Sequence, residues 1–209
     1  MRFYIYKKIV KIASTYLLFK IMVLFPVITF ADPILSELPQ KDRIVYFEQA
    51  KQSGLTGIAR KTKPVLARPA KEGEIITTTI KGEGIETISV PANIGDWVVQ
   101  NICPETGNEE ILVKKDKFIQ RYEQADVNKV DVSSTTKEYH SYIPKGVEMN
   151  YFIIPKLSSP FVMQAPWGEL QRFQAGDAVV QSITDNQDIY RIQKDAFNCT
   201  YTILKKANL

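Results

Sequence analysis

Gly95-Asp96-Trp97-Val98-Val99-Gln100-Asn101 is followed further along the chain by Gly176-Asp177-Ala178-Val179-Val180-Gln181-Ser182. Each heptapeptide leads through a turn into a second shared run. This is Val113-Lys114-Lys115-Asp116-Lys117-Phe118 in the first case and Ile192-Gln193-Lys194-Asp195-Ala196-Phe197 in the other. Tyr122 and Tyr201 each follow their Phe by four positions. Asp to Phe spans 22 positions in the first copy and 20 in the second, so only the turn changes length. Two matched runs at matched spacing predict an internal repeat. Upstream, Val65-Leu66-Ala67-Arg68-Pro69 aligns more weakly with Tyr151-Phe152-Ile153-Ile154-Pro155.

Each run has a conformational meaning. Gly supplies a positive φ, and the Asp side chain bonds nearby backbone N–H groups, so Gly-Asp predicts a turn. Trp97-Val98-Val99 predicts a strand buried on both faces. Pro104-Glu105-Thr106-Gly107 and Thr184-Asp185-Asn186-Gln187 predict hairpin loops, with Ile111-Leu112-Val113 and Tyr190-Arg191-Ile192 as the returning strands. Alternation puts Tyr190 and Ile192 on one face and Arg191 on the other. Asp116 and Asp195 fall where a helix N-cap belongs, with Phe118/Tyr122 and Phe197/Tyr201 at i and i+4 on the turn that follows. Either unit alone is too small for a full core, so the two are expected to pack together.

Outward from the repeat, Asp42–Gln52 (DRIVYFEQAKQ) reads as a short helix ended by Ser53-Gly54. Leu55–Ala70 is basic and punctuated by Pro64 and Pro69. It reads as a connector with one strand, Val65–Arg68. Gln124–Tyr139 is polar and reads as a linker. The rest is rich in Val, Ile, Thr and Tyr in short runs cut by Gly, Pro, Asn and Asp. The expected class is mainly β with short helices (α+β), built as two similar small β-hairpin modules packed together. The expected organisation is a signal peptide over 1–31, an N-terminal helix and connector over 32–62, module 1 over 63–124, a linker over 125–142 and module 2 over 143–209.

The N-terminal segment carries Arg2, Lys7, Lys8, Lys11 and Lys20, then the apolar run Ile21–Phe30 (IMVLFPVITF), then Ala31. Basic, apolar, small is the order of a secretory signal. An uncleaved anchor is the alternative, but a span needs about 20 apolar residues. The whole chain has 27 Lys+Arg and 23 Asp+Glu, a net of +4. Removing those five basic residues leaves 22 against 23, so the mature part has no basic excess for nucleic acid. Export makes a Cys103–Cys199 disulfide one option, and two free buried thiols the other. Such a bond would close a loop of 96 residues.

Few residues invite chemistry. His140, the sole histidine, could serve a Cys103 hydrolase or be an exposed linker residue. Asp96 and Asp177 could form paired carboxylates or simply brace their glycine turns. Trp167, in the turn Ala165-Pro166-Trp167-Gly168, could stack on a ligand or on its own module. Lys81-Gly82-Glu83-Gly84 reads as a hairpin turn rather than a phosphate loop. No Cys₂His₂-like spacing exists, so no zinc site and no cofactor are expected.

Lys63-Pro64-Val65, Gly95-Asp96-Trp97-Val98-Val99, Lys115-Asp116-Lys117-Phe118 and Arg121-Tyr122-Glu123 together resemble the PGDYG-type small domain of phage and bacterial proteins. The likeness covers roughly Lys63–Glu123, with a diverged second copy to Tyr201. Ile94 stands for the Pro, Trp97 for the Tyr and Val98 for the second Gly. The resemblance implies a small β fold and no established activity. The functional expectation is an exported (periplasmic or secreted), non-enzymatic binding or envelope-associated protein whose partner is an unidentified protein or envelope component. No nucleic-acid binding is expected, and membrane contact is expected only if the signal stays uncut. The alternative is a small envelope hydrolase using Cys103/His140 or Asp96/Asp177.

Overall fold

The structure, a computed structural model, describes residues 35–125 and 139–208. The expected signal peptide, 1–31, and most of the expected linker lie outside the described residues. Among the described residues the chain is mainly β with three short α-helices. Helix α1 (Arg43–Gln52) begins at Asp42, whose carboxylate accepts from the N–H groups of Ile44 at 2.8 Å and Val45 at 3.0 Å. That cap satisfies amides that have no partner inside the helix.

After α1 the same order of elements runs twice. The first half contains β1 (Gly57–Lys61), β2 (Val65–Pro69), the hairpin β3 (Thr77–Ile80) and β4 (Gly84–Ile88), β5 (Trp97–Asn101), β6 (Glu110–Val113), α2 (Lys115–Arg121) and β7 (Tyr122–Gln124). The second contains β8 (His140–Pro144), β9 (Glu148–Ile153), the hairpin β10 (Phe161–Gln164) and β11 (Leu170–Phe173), β12 (Ala178–Ser182), β13 (Ile189–Ile192), α3 (Lys194–Thr200) and β14 (Tyr201–Lys205). Val98 and Val179 are buried on the corresponding strands β5 and β12.

The two five-stranded sheets exchange a strand. One sheet runs β6-β5-β2-β8-β7 and the other β13-β12-β9-β1-β14. Strand β1 precedes β2 in sequence but lies between β9 and β14, and β8 precedes β9 but lies between β2 and β7. Registers correspond as well. Ala67 pairs with His140 and Val65 with Tyr142, as Tyr151 pairs with Gly57 and Met149 with Ala59. The connector and linker segments read from the sequence therefore supply strands, each to the opposite half. Their short, polar-punctuated text hid this, because the apolar partners are remote in sequence. Gly57 is needed for the fit: a Cβ there would sit 2.3 Å from the Lys205 carbonyl oxygen and 2.5 Å from the Ala207 nitrogen.

Equivalent residues fill equivalent cores. Val65, Ala67, Val99, Phe118 and Tyr122 pack on one sheet, and Met149, Tyr151, Val180, Phe197 and Tyr201 on the other. Phe118 stacks on Tyr122 and Phe197 on Tyr201, each at 5.2 Å between centroids. Those tyrosines open β7 and β14 instead of extending the helices. The other face of the second sheet carries Phe47 from α1 and Phe161, Met163 and Phe173 from the β10–β11 hairpin. All five positions of β12 are consequently buried.

Two local expectations are corrected. Asp116 and Asp195 are not N-caps, because the caps are Lys114 and Gln193. The turn aspartates reach across instead, and the first helical N–H groups, those of Lys115 and Lys194, donate to Asp96 and Asp177 at 3.1 Å. The upstream alignment is two residues out. Pro69 pairs with Trp97 and Ile153 with Ala178, so Pro69 corresponds to Ile153, not Pro155.

Candidate functional site

A cavity of about 440 Å³ lies between β6/α2 of the first half and β13/α3 of the second. Tyr122, Trp167, Tyr190 and Tyr201 supply aromatic rings to its wall, and five basic and five acidic side chains supply charge. Its size falls within the usual range for small-molecule sites. Trp167 is the one binding candidate from the sequence that reaches this cavity. The β10–β11 turn brings it to 5.5 Å from the Tyr190 ring, and its Nε1 donates to Glu169 at 2.6 Å.

Among the described residues, all the charges on the wall but Asp116 have protein partners. Arg121 of α2 donates to Asp188 at 2.5 Å and to the Tyr190 hydroxyl at 3.1 Å, while Lys117 donates to Asp188 at 3.1 Å. Burial opposes the charge on Arg121, but the fields of Tyr190 and Asp188 outweigh it, and its pKa is raised. Burial pushes the hydroxyl pKa up at Tyr190, and further at Tyr201. Both therefore stay protonated hydroxyls, able to donate as well as accept.

Part of this wall belongs to a buried cluster that the sequence did not announce. Arg191, whose side chain is 1% exposed, meets Asp177 at 2.7 Å, Glu83 at 2.9 Å and Glu86. Three carboxylates share one guanidinium. Burial raises the pKa of Glu86 and Asp177 despite the Arg191 charge, whereas Arg191 itself stays ionised. The only hint in the sequence was a charged residue alternating with Tyr190 and Ile192. Glu83 comes from the Lys81–Gly84 segment, which is a hairpin turn, with the Glu83 N–H donating to Ile80 at 3.0 Å.

Asp96 and Asp177 hold their turns in the same way. Asp96 accepts from the Asn93 and Lys115 N–H groups and from Lys114 Nζ at 2.8 Å. Asp177 accepts from the Gln174 and Lys194 N–H groups and from Arg191. Neighbours thus engage both oxygens of each carboxylate. His140 is exposed at the start of β8, opposite Ala67, whose other neighbour is Val99. Asn101, the last residue of β5, is level with Val65 and Tyr142, so Cys103 lies past the opposite end of the ladder from His140. The fold does not bring that pair together.

Cys103 and Cys199 are free thiols, not a disulfide. The fold does bring them together, with the Glu105 carboxylate between them, and the three ligand atoms lie within 4.8 Å of one another. Burial, and then the hydrogen bond with Cys199, pushes the Cys103 thiol up to about 11.

Comparison with known protein families, with curated proteins and with solved structures finds no match for this chain.

Proposed function

We propose that this chain is an exported, non-enzymatic binding protein, built by duplication of one β module, that holds a small molecule between its two halves. The observation that carries the reading is the inter-half cavity, walled by four aromatic rings and by charges most of which already have protein partners. Pairing of Asp188 with Lys117 and Arg121 argues against its use as a general base, which must be free to take a proton. It suits recognition, because rings stack on a ligand and fixed hydroxyls orient it. Equal numbers of basic and acidic groups favour a compact, ring-bearing ligand of no net charge. Export rests on the order basic, apolar, small at the N-terminus. Among the described residues no helix is long and apolar enough to cross a membrane.

The test is a thermal-shift screen against a library of uncharged ring-bearing metabolites. A hit should raise the Tm of the wild type and leave Val147→Trp unmoved, since Val147 lies on a loop lining the cavity and a Trp there would fill it. Hits that stabilise both proteins equally would place binding elsewhere.

A further inference from the structure

The loop after β5 and helix α3 come from opposite halves of the chain, and they meet at Cys103, Glu105 and Cys199. The geometry points to a binding site for a thiophilic divalent cation, Zn²⁺ above all, held by the Cys103 and Cys199 thiolates and the Glu105 carboxylate. These three residues do not line the cavity, so the inference stands apart from the proposed ligand site.

Distances fit the ion. One oxygen, Glu105 Oε2, lies 3.3 Å from Cys103 Sγ and 3.6 Å from Cys199 Sγ. Tetrahedral Zn²⁺, with bonds of about 2.3 Å to sulfur and about 2.0 Å to oxygen, needs S···O edges of about 3.5 Å and an S···S edge of about 3.8 Å. All three ligand atoms lie within 4.8 Å of one another, so small side-chain rotations close the set. A fourth position is left for water, as in open zinc sites. Charge also balances. Two thiolates and a carboxylate around a divalent ion leave one negative charge, and Lys63 Nζ, 3.5 Å from Cys199 Sγ, offsets it.

The alternative use of the two thiols is a disulfide, but a carboxylate sits against both sulfurs. The Glu105 carboxylate accepts from both S–H groups. A metal ion displaces those protons directly, releasing two H⁺ per ion bound. Linear spacing could not predict such a site, because its two cysteines lie 96 residues apart and converge only once the halves pack.

The experiment titrates the full, reduced, metal-free chain with Co²⁺ and then with Zn²⁺. One equivalent of Co²⁺ should give a thiolate-to-cobalt charge-transfer band that one equivalent of Zn²⁺ removes. Cys199→Ser should abolish the band. Glu105→Gln, at an exposed loop position, should fold normally and bind at least about tenfold more weakly, and Lys63→Ala about tenfold more weakly. A reduced chain that gives no band overturns the site, and so does a band undiminished in Cys199→Ser.

Discussion

Replacing Arg191 with Met removes the only guanidinium from a cluster of three carboxylates. Met keeps an unbranched apolar stem of similar overall volume but no guanidinium, so the main loss is charge and hydrogen bonds. Asp177 and Glu86 would remain buried, with side chains 1% and 10% exposed, and Glu83 26% exposed. Taking one partner from a buried ion pair costs about 3–5 kcal/mol, because the remaining charge has no compensation. At pH 7 the variant should lose that much. The loss should also depend on pH in a definite direction. Glu86 and Asp177 already have pKa values raised by burial, and losing Arg191 raises them further. A carboxyl with a folded pKa above its unfolded value contributes stability at low pH, and loses it as pH rises through the folded value. Each such group changes stability by about 1.4 kcal/mol per pH unit within that window. Between pH 7 and pH 5 the gap to the wild type should therefore narrow by up to about 2.7 kcal/mol for one carboxyl. Urea unfolding of both proteins at the two pH values measures this. A gap below about 1 kcal/mol at pH 7, or one that widens at pH 5, would refute the role given to Arg191.

Other expectations follow from the same geometry. Phe118→Ala and Phe197→Ala should each cost about 3–5 kcal/mol in chemical denaturation, since each ring closes one sheet's core. Gly57→Ala should cost about 3 kcal/mol in the same assay, because the added Cβ meets backbone of the exchanged sheet and not a movable side chain. The Arg68 guanidinium, at 2.6 Å, holds the Glu74 carboxyl down at about 2. A depressed carboxyl contributes stability above its unfolded pKa and loses it as pH falls, here between about 4.5 and 2. Arg68→Ala should remove that acid limb from the stability profile, by no more than about 1 kcal/mol for a partly exposed pair.

The sequence exposed what is local and hid what is remote. Gly95-Asp96 and Gly176-Asp177 announced turns because Gly conformation and Asp hydrogen bonding act over a few residues. Trp97-Val98-Val99 announced a buried strand for the same reason. The exchange of β1 and β8 was not legible. Gly57-Ile58-Ala59-Arg60-Lys61 carries no pattern that names β9 and β14 as its neighbours, and it lies outside the matched text. The helix caps were misplaced by one link. The capping acid is not the one beside the helix but the turn Asp, 19 and 17 residues earlier. Of the site, only Trp167 was foreseen. Arg121, Asp188 and Tyr190 each look like ordinary surface residues until the halves pack and bury them together.

Whether the cavity holds a small molecule is tested most directly by native mass spectrometry. The full chain and its Val147→Trp variant would be purified without denaturation and sprayed intact. A single small-molecule mass increment is expected on the wild type and is missing from the variant. The same increment on both proteins, or none on the wild type in the presence of the screened metabolites, would contradict it.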